Sequence, residues 1–431
     1  MWNIKCENME HLELKNLQSE RLSNLIEKLY RKVAFYRKKM DDAKVSPSDI
    51  KDISDIRKLP FTSKQEVLDL YPYGLLCADM KDVVEIHMSS GTTGRPVVGA
   101  YTANDIELWG EAMARTLSMG GVNSEDIVQN AYGYGLFTGG MGAHYGAGKI
   151  GATVIPISGG NTKRQLTVMK DFKSTVLTCT PSYSLYLAET AAEHGFKMKD
   201  MALKAGFFGA EPWSENMRRE IQERLHVKAY DIYGLTEIIG PGVASECEAQ
   251  DGLHIQEDLF YPEIIDPVTG EVLLDGEKGE LVITTLTREG TPIIRYRTRD
   301  ITYFLTGKCS CERTLRRIHR LLGRNDDMLI IRGVNIFPSQ IEHVLFNIEG
   351  VEPHYQLLVD RKAQLDYLEV QVEVNESIFS DEIRKLEGLE KDIEKELYSA
   401  LGIHTKVKLV EPKSIARSEG KAKRIIDKRS I

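Results

Sequence analysis

The stretch "AGFFGAEPWSENMRREIQERLHVKAYDIYG", residues 205–234, decides the fold class. Two β-rich runs, "AGFFGA" and "KAYDIYG", flank a charged segment, 211–225, that has helical character. Shorter β-rich runs, "TVIPI" and "TVLTC", stand earlier in the chain and are also separated by helical stretches. This alternation predicts βα units and a largely parallel sheet between about 81 and 240, and therefore an α/β protein.

The segments on either side of the alternating region have different patterns. Residues 17–43 carry apolar side chains at helical spacing among charges, which predicts an amphipathic helix that opens the fold. Residues 261–305 read as strand, turn and strand, so we expect a β-rich subdomain there. Together these parts make up a predicted large N-terminal domain, residues 1–323.

A second, smaller unit is predicted after Gly323. Apolar residues at alternate positions of 368–374, with polar residues between them, indicate a half-buried strand. A helical pattern over 383–401 stops at Gly402, a residue type that commonly ends helices. We expect a small α+β C-terminal domain, residues 324–431.

Composition restricts the class of protein. The chain has 431 residues, 42% of them hydrophobic, and a net charge of −8, which suits a globular protein and disfavours a nucleic-acid partner. We see neither a signal peptide nor an apolar run of about 20 residues, and we expect no membrane partner. Six cysteines without an export signal favour a reducing compartment, so we predict a cytoplasmic protein.

A serine-, threonine- and glycine-rich segment, "SSGTTGRP", is the first candidate binding site. It lacks the Gly-Lys-Ser/Thr ending of a Walker A loop. Its hydroxyls, its flexible glycines and the cation of Arg95 nevertheless suit a phosphate. A surface turn is the alternative for this composition. The candidate phosphate-binding residues are Ser89, Ser90, Gly91, Thr92, Thr93 and Gly94.

Two further strings place polar groups after predicted strands. In "YDIYGLTEIIGPG" a strand runs into a tight turn that we place at Gly234, where Tyr233 can stack on a purine and Glu237 can hold Mg²⁺. In "RYRTRD" the carboxylate of Asp300 can accept hydrogen bonds from two ribose hydroxyls. A helix-initiating turn and a surface charge cluster are the respective alternatives.

Three cysteines and a histidine form a candidate metal site. Cys247 and His254 stand seven residues apart, and Cys309 and Cys311 form a C-x-C pair. Three thiolates and an imidazole suit a tetrahedral structural Zn²⁺. We expect the β-rich segment between the two pairs to fold as a hairpin and bring them together. The alternative is four unlinked residues in loops.

Taken together, the strings "SSGTTGRP", "AYGYGLFTGG", "FGAEPW", "YGLTEIIGPGV", "PIIRYRTRD" and "GRNDDMLIIRGVNIFPSQIE" resemble the adenylate-forming acyl-CoA ligases over nearly the whole chain. The resemblance is greatest to the phenylacetate–CoA ligase family. It implies that a carboxylic acid is joined to the α-phosphate of ATP, with release of pyrophosphate, and is then transferred to coenzyme A with release of AMP. The implied cofactors and co-substrates are ATP, Mg²⁺ and coenzyme A.

The resemblance also implies roles for particular residues. Lys421 would contact the α-phosphate and the acid, Glu237 with Thr236 would hold Mg²⁺, and Asp326 would be the hinge of the small domain. Arg95 departs from the lysine more usual in the phosphate loop. The implied nucleotide-binding residues beyond that loop are Gly209, Ala210, Glu211, Pro212, Asp231, Ile232, Tyr233, Gly234, Thr236, Asp300 and Arg324, and the implied coenzyme A channel is Gly333, Val334 and Asn335.

The acid pocket is predicted from aromatic and apolar residues near these motifs. Such a pocket favours an aryl or arylalkyl carboxylate, and phenylacetate is the acid that the resemblance favours. A carrier-protein thiol as acyl acceptor, a non-catalytic nucleotide-binding protein and a structural zinc protein remain as alternatives, and a homodimer is compatible with the sequence. The candidate pocket residues are Tyr132, Tyr134, Phe137, Ile239 and Pro241, and core packing is the alternative for each.

Overall fold

Strands and helices alternate through the region where the sequence predicts βα units. The computed structural model describes residues 1–89, 96–324, 329–332, 334–362, 365–379, 383–420 and 422–429. Within them the α-helices are α1 Ile4–Glu7, α2 His11–Lys32, α3 Ala34–Asp42, α4 Lys64–Asp69, α5 Ala103–Met119, α6 Thr138–Ile150, α7 Thr162–Asp171, α8 Pro181–Glu193, α9 Glu215–Leu225, α10 Pro338–Leu345, α11 Glu376–Phe379 and α12 Ile383–Leu401.

The strands fall into several sheets. They are β1 Val83–Met88, β2 Val98–Thr102, β3 Ile127–Asn130, β4 Thr153–Ile155, β5 Val176–Cys179, β6 Ala205–Gly209, β7 Lys228–Leu235, β8 Gly240–Glu246, β9 Leu253–Ile255, β10 Phe260–Ile265, β11 Gly279–Thr285, β12 Tyr296–Thr302, β13 Arg317–Ile318, β14 Gly323–Arg324, β15 Leu329–Ile331, β16 Val334–Ile336, β17 Val351–Lys362, β18 Leu365–Val374, β19 Lys406–Val410 and β20 Ile425–Asp427.

The largest sheet has the order β13-β9-β8-β7-β6-β5-β3-β4. Strands β3 to β7 pair in parallel, and β8, β9 and β13 continue the sheet in antiparallel register. Side chains alternate between the two faces of a strand, and both faces of β6 are buried. Phe207 packs in the core that includes Leu117 of α5, and Phe208 packs in the core that includes Ile221 of α9. The prediction of an α/β fold is confirmed.

A second sheet, in the order β10-β11-β12-β14, is antiparallel throughout and corresponds to the predicted β-rich segment. The N-terminal helices cover it. Leu22, Ile26 and Leu29 of α2 share one core with Ile283 of β11. The predicted single helix over 17–43 is wrong in one respect. Val33 adopts extended dihedral angles, φ −114° and ψ 103°, and separates α2 from α3.

The elements after residue 329 form two sheets of their own. A short hairpin, β15–β16, precedes a four-stranded sheet in the order β19-β18-β17-β20. Helices α10 and α12 pack on this sheet, and Leu345, Ile393 and Leu397 share its core. Helix α12 ends where the sequence predicts, since Gly402 follows it with φ 72°.

The alternation predicted for β18 holds for its apolar residues but fails at one polar position. Glu373 should face solvent in a half-buried strand, yet it is 1% exposed. Arg417 approaches it from outside the strand and donates two hydrogen bonds of 2.7 and 2.8 Å to its carboxylate. An ion pair of this kind makes the burial of a carboxylate tolerable.

Among the described residues, no helix combines the length and the apolar character needed to cross a bilayer.

Candidate functional site

The two strands that flank the candidate phosphate loop are joined by hydrogen bonds where the loop begins and ends. Ser89 donates its backbone N–H to the Val97 carbonyl oxygen at 2.9 Å, and its hydroxyl oxygen accepts the Val97 N–H at 2.9 Å. The antiparallel pairing of β1 with β2 leads directly into these two bonds. The other predicted phosphate-binding residues, Ser90 to Gly94, and Arg95 lie outside the described residues.

Three of the predicted nucleotide-binding residues come together between the two large sheets. Asp300 of β12 lies opposite Arg324 of β14 in the register of the second sheet. Its carboxylate accepts a 2.5 Å hydrogen bond from the Tyr233 hydroxyl at the end of β7 and lies 3.6 Å from an Arg324 guanidinium nitrogen. Burial, and then the Asp300 charge, raise the pKa of Tyr233 well above its usual value, so this phenol remains a donor.

The candidate magnesium ligand lies one turn beyond Tyr233. Strand β7 passes through Gly234 to Leu235, and the turn follows at 236–239, so the turn is not at Gly234 as predicted. A Cβ on Gly234 would lie 1.9 Å from the Gly240 carbonyl oxygen, so glycine is required there by the close approach of β8. Glu237, half-buried in the turn beside Thr236, accepts a 3.2 Å hydrogen bond from the Tyr296 hydroxyl.

The backbone from 237 to 241 is held by three buried side chains. The Tyr101 hydroxyl donates to the Ile239 carbonyl at 2.9 Å, and the Trp109 indole N–H donates to the Pro241 carbonyl at 2.8 Å. Arg288 donates to the carbonyl oxygens of Glu237, at 3.0 Å, and of Ile238. The guanidinium of Arg288 also lies 4.5 Å from the centre of the Tyr101 ring. These contacts fix the turn from the side opposite the solvent.

The predicted adenine-side segment connects β6 to α9. Gly209 ends β6 so close to β7 that a Cβ would lie 2.4 Å from the Ile232 carbonyl oxygen, and Ala210 follows with φ 71°. Pro212 is half-buried. Glu211 uses both carboxylate oxygens, since Oε1 accepts the Ser182 N–H at 2.6 Å and Oε2 accepts the Ala422 N–H at 3.1 Å.

Asp231 forms hydrogen bonds with groups outside this segment. Its carboxylate accepts a 3.3 Å hydrogen bond from the Arg320 guanidinium, and its backbone N–H donates to Glu246 at 2.8 Å. Burial raises the pKa of Asp231 to about 6 against the opposing effect of Arg320. The structure therefore ties Asp231 into a buried ion network beneath the strand.

The predicted acid-pocket residues divide into two groups, one on each side of α6. Tyr134 bonds through its hydroxyl to Asn130, at 2.7 Å, and to His144, at 3.1 Å, and burial raises its pKa to about 12. Tyr132 is buried, and its hydroxyl has no hydrogen-bond partner among the described atoms. Phe137, half exposed, immediately precedes α6.

The second group lies across α6 from these aromatics. A Cβ on Gly142 of α6 would lie 2.7 Å from Pro241, so this glycine lets the helix approach the segment 239–241. Ile239 is 3% exposed and packs in the large core. The two predicted groups thus lie on either side of one helix. The contacts of Ile239 are those of a core residue, which is the alternative given for it above.

The C-terminal segment reaches the same region from the small unit. The Thr180 hydroxyl donates to the Gly420 carbonyl oxygen at 3.0 Å, and Arg424 donates to the Ser182 hydroxyl at 3.4 Å. With the Ala422 bond to Glu211, these contacts hold both neighbours of position 421 against the start of α8. Lys421 itself lies outside the described residues, as do Asp326 and Gly333. Val334 and Asn335 form part of β16.

The four predicted metal ligands converge. The candidate ligand atoms of Cys247, His254, Cys309 and Cys311 all lie within 4.8 Å of one another. His254 donates from Nδ1 to the Leu315 carbonyl at 3.3 Å, which leaves Nε2 directed at the cysteines, 3.3 Å from the Cys311 sulfur. The set of donors and its spacing fit a tetrahedral zinc ion.

The elements that assemble the cluster differ from those expected. The predicted hairpin between the two pairs of ligands belongs to the second sheet and does not join them. Instead, Cys247 follows β8, His254 lies in β9, and β13, which follows the C-x-C pair, pairs with β9 opposite His254. The N-terminus covers this loop, because Arg313 forms a 2.6 Å ion pair with the buried Glu7.

Sequence reasoning missed the residues that hold the site from behind. Tyr101, Trp109 and Arg288 lie more than 45 positions from the carbonyls they bind, and no local pattern marks them. Tyr296 stands in the quoted string "RYRTRD", four residues before Asp300. Alternation along a strand places both side chains on one face, and this signal could have identified Tyr296 as a neighbour of the site.

Comparison with known families defines the class. A family profile described as AMP-binding enzyme matches residues 15–287, and a profile described as AMP-binding enzyme C-terminal domain matches residues 333–429. The chain is thus an AMP-binding enzyme.

Two relatives match nearly the full length. A phenylacetate-coenzyme A ligase of Escherichia coli (strain K12) is 49% identical over 97% of this chain and 96% of its own length. A phenylacetate-coenzyme A ligase of Thermus thermophilus is 44% identical over 100% of both chains. The chain therefore belongs to the phenylacetate-coenzyme A ligase family of AMP-binding enzymes, and the family predicted from sequence is confirmed.

Solved structures of one relative align with both units of the chain. A 2-hydroxyisobutyryl-CoA ligase in the postadenylation state, in complex with R3-HIB-AMP, is 28% identical, and the alignment covers 99% of this chain and 92% of that chain with a TM-score of 0.93. The same ligase in the thioesterification state, with 2-HIB-AMP and CoA, gives a TM-score of 0.73. Over both units, this chain is therefore more similar in structure to that ligase in its postadenylation complex than in its thioesterification complex.

Proposed function

We propose that this protein joins phenylacetate, or a closely similar arylalkyl carboxylic acid, to coenzyme A through an acyl-adenylate. In the first half-reaction a carboxylate oxygen of the acid attacks the α-phosphorus of ATP and pyrophosphate leaves. In the second, the sulfur of coenzyme A attacks the acyl carbon, the bond to AMP breaks, and the thiol proton passes to solvent. The observation that carries the proposal is the full-length identity to phenylacetate-coenzyme A ligases.

The geometry supports a nucleotide at the junction of the two large sheets. Asp300 and Arg324 would hold the ribose, with Tyr233 orienting the Asp300 carboxylate through the 2.5 Å bond. The segment 209–212 would border the adenine, and the loop that Ser89 closes would hold the β- and γ-phosphates. Transfer of this kind depends chiefly on positioning and charge stabilisation, and buried, hydrogen-bonded groups supply both.

Glu237 and Thr236 fit a magnesium site. Carboxylate and hydroxyl oxygens are the ligands that Mg²⁺ takes in proteins, and Mg²⁺ neutralises the charge of the triphosphate. The Tyr296 hydroxyl and the Arg288 guanidinium hold the Glu237 side chain and backbone, respectively. These buried contacts would keep the carboxylate oriented while the nucleotide is exchanged.

We further propose that Lys421 stabilises the transition state of the first half-reaction. The described residues on either side of it are bound to Thr180, at the start of α8, and to Glu211, within the segment 209–212. A compact ammonium ion suits the concentrated charge of the α-phosphate and the incoming carboxylate. We also keep the division into domains 1–323 and 324–431, with the hinge at Asp326, as part of this proposal.

The test separates the two half-reactions. Pyrophosphate release is measured with ATP and a series of acids, and AMP release is measured from phenylacetyl-adenylate supplied with coenzyme A. Lys421→Ala should lower pyrophosphate release at least about 100-fold, a typical loss for a charge-stabilising group, and should largely spare AMP release. The matched control is Lys423→Ala, since Lys423 is exposed two residues away. Equal losses in both half-reactions would refute the role of Lys421.

The acceptor and the acid are tested in the same assay. Faster pyrophosphate release with phenylacetate than with benzoate or acetate is expected, and no release with any aryl acid would refute the function. A carrier protein as the acceptor would be favoured if free coenzyme A failed to release AMP from the supplied adenylate.

We also propose that Cys247, His254, Cys309 and Cys311 hold a structural zinc ion, because three sulfurs and one imidazole nitrogen lie within mutual reach of one ion. The cluster joins β8, β9 and the loop before β13, and its role would be to fix this edge of the large sheet. The cytoplasmic location and a homodimer remain predictions from the sequence.

A further inference from the structure

A mostly buried carboxylate of the large unit binds two side chains of the small unit, Arg417 and His354. Glu189 lies on α8 and is 14% exposed. Its Oε2 accepts a 2.9 Å hydrogen bond from Arg417 Nε, and its Oε1 bonds to His354 Nε2. Burial opposes ionisation of Glu189, but the bonds from His354 and Arg417 outweigh it and lower the pKa to about 2.

Arg417 is held independently of Glu189. The buried carboxylate of Glu373 accepts hydrogen bonds from both terminal nitrogens of Arg417, at 2.7 and 2.8 Å. Glu373 also accepts the backbone N–H groups of Lys413, at 3.0 Å, and Ile415, at 2.8 Å. The loop 413–417 is therefore organised within the small unit, and its contact with Glu189 is one of docking rather than of folding.

The docked loop leads directly to the position of the proposed catalytic lysine. Three residues after Arg417, the Gly420 carbonyl accepts from Thr180, and the Ala422 N–H donates to Glu211. Thr180 caps the N-terminus of α8, and Glu189 lies further along the same helix. One helix thus binds the segment at two points that are about two and a half turns apart.

We propose that Glu189 is a positioning residue for the adenylation half-reaction. It anchors Arg417 and thereby holds the segment 418–424 against the large domain while the acyl-adenylate forms. This role rests on the proposed function of Lys421 and concerns only the arrangement seen here. A contact made in one arrangement stabilises that arrangement alone, so its loss cannot slow a step that takes place in another.

Glu189→Gln, which keeps the shape and removes the charge, tests this role. A charge-assisted hydrogen bond between mostly buried groups leads us to expect pyrophosphate release on the order of 10-fold slower. AMP release from supplied phenylacetyl-adenylate and coenzyme A should be unchanged or faster. Glu189→Asp, which keeps the charge, should recover part of the rate. Equal slowing of both half-reactions by Glu189→Gln would overturn the proposal.

Glu193→Gln is the matched control. Glu193 lies one turn further along α8 and also pairs with the small unit, through Lys413, but the two side chains are 43% and 60% exposed. Exposed pairs of this kind contribute little, so we expect a change of less than about twofold in either half-reaction. A loss as large as that of Glu189→Gln would overturn the proposal, because any charge on this helix would then suffice.

Backbone hydrogen exchange in the enzyme without substrates distinguishes failure of this inference from failure of the proposed function. Glu189→Gln should accelerate exchange at the Ala422 N–H, which bonds to the large domain, and leave the Ile415 N–H, which bonds to Glu373, unchanged. Unaltered exchange at Ala422 would overturn the anchoring role even if the enzyme proved to act on another acid.

Discussion

Replacing Tyr233 by phenylalanine removes one hydroxyl from the centre of the proposed nucleotide site. Tyr233 is 7% exposed and Asp300 is 2% exposed, and 2.5 Å separates the phenol oxygen from the carboxylate. Without the hydroxyl, one oxygen of a buried carboxylate loses the hydrogen bond from Tyr233, while Arg324 remains 3.6 Å from the other oxygen. The carboxylate is then held less firmly in the orientation proposed to bind the ribose.

The size of the effect follows from the bond. A hydrogen bond to a charged group contributes about 1.5–3 kcal/mol, and about 1.4 kcal/mol corresponds to a factor of ten. We expect the KM for ATP to rise on the order of 10-fold and the KM for the acid to change much less. Part of the loss will lower the free energy of unfolding, which is followed separately by urea denaturation.

The assay is pyrophosphate release with ATP varied at saturating acid, and then with acid varied at saturating ATP. The matched control is Tyr230→Phe, since Tyr230 lies on the same strand, is buried against Phe207, and makes no hydroxyl hydrogen bond among the described residues. An unchanged KM for ATP in Tyr233→Phe, or an equal rise in both variants, would refute the reasoning that Tyr233 orients Asp300.

Three further outcomes are expected. Tyr101→Phe removes the hydrogen-bond donor to the Ile239 carbonyl, a bond that contributes about 1–2 kcal/mol, and should raise the KM for the acid about 5- to 10-fold. An unchanged KM for the acid would show that Ile239 does not line the acid pocket. Burial raises the pKa of Glu257 to about 7, so its ionisation lowers the free energy of unfolding increasingly from about pH 4.5 to 7. The free energy of unfolding of Glu257→Gln, relative to that of the wild type, should therefore rise by up to about 3 kcal/mol between pH 5 and pH 8. An equal difference between the two proteins at both pH values would contradict this. Metal analysis should find about one zinc per chain in the wild type and in Cys179→Ala, and should find it lost in Cys309→Ala. The zinc site would be excluded if the wild type held less than about half an equivalent and its unfolding were unaffected by a chelator.

The fold could be predicted because its main signals are local. The strand–helix–strand alternation around 205–234 and the glycine after α12 depend on residues close in sequence, and both are confirmed. The break at Val33 was missed because the residue has no helix-breaking chemistry. Glu373 was misplaced because its partner, Arg417, lies 44 positions away.

Residues of the candidate site could be predicted only where they belong to sequence motifs. The resemblance named Tyr233, Asp300 and Arg324 from strings spread over about 90 positions, and the structure brings them into contact. It gave no sign of Trp109, whose contact with the Pro241 carbonyl depends on the packing of α5 against β8. Such supporting contacts arise from tertiary structure and leave no periodic trace in the sequence.

The two hydrogen bonds of Glu211 divide between partners that behave differently. Ser182 lies in the large unit with Glu211, whereas Ala422 belongs to the small unit. Any rotation that withdraws Ala422 breaks one bond and leaves the other, so the carboxylate keeps its place and loses little order in the process. In the proposed rotation, the returning segment would therefore meet a carboxylate that is already oriented, without the entropic cost of ordering it again.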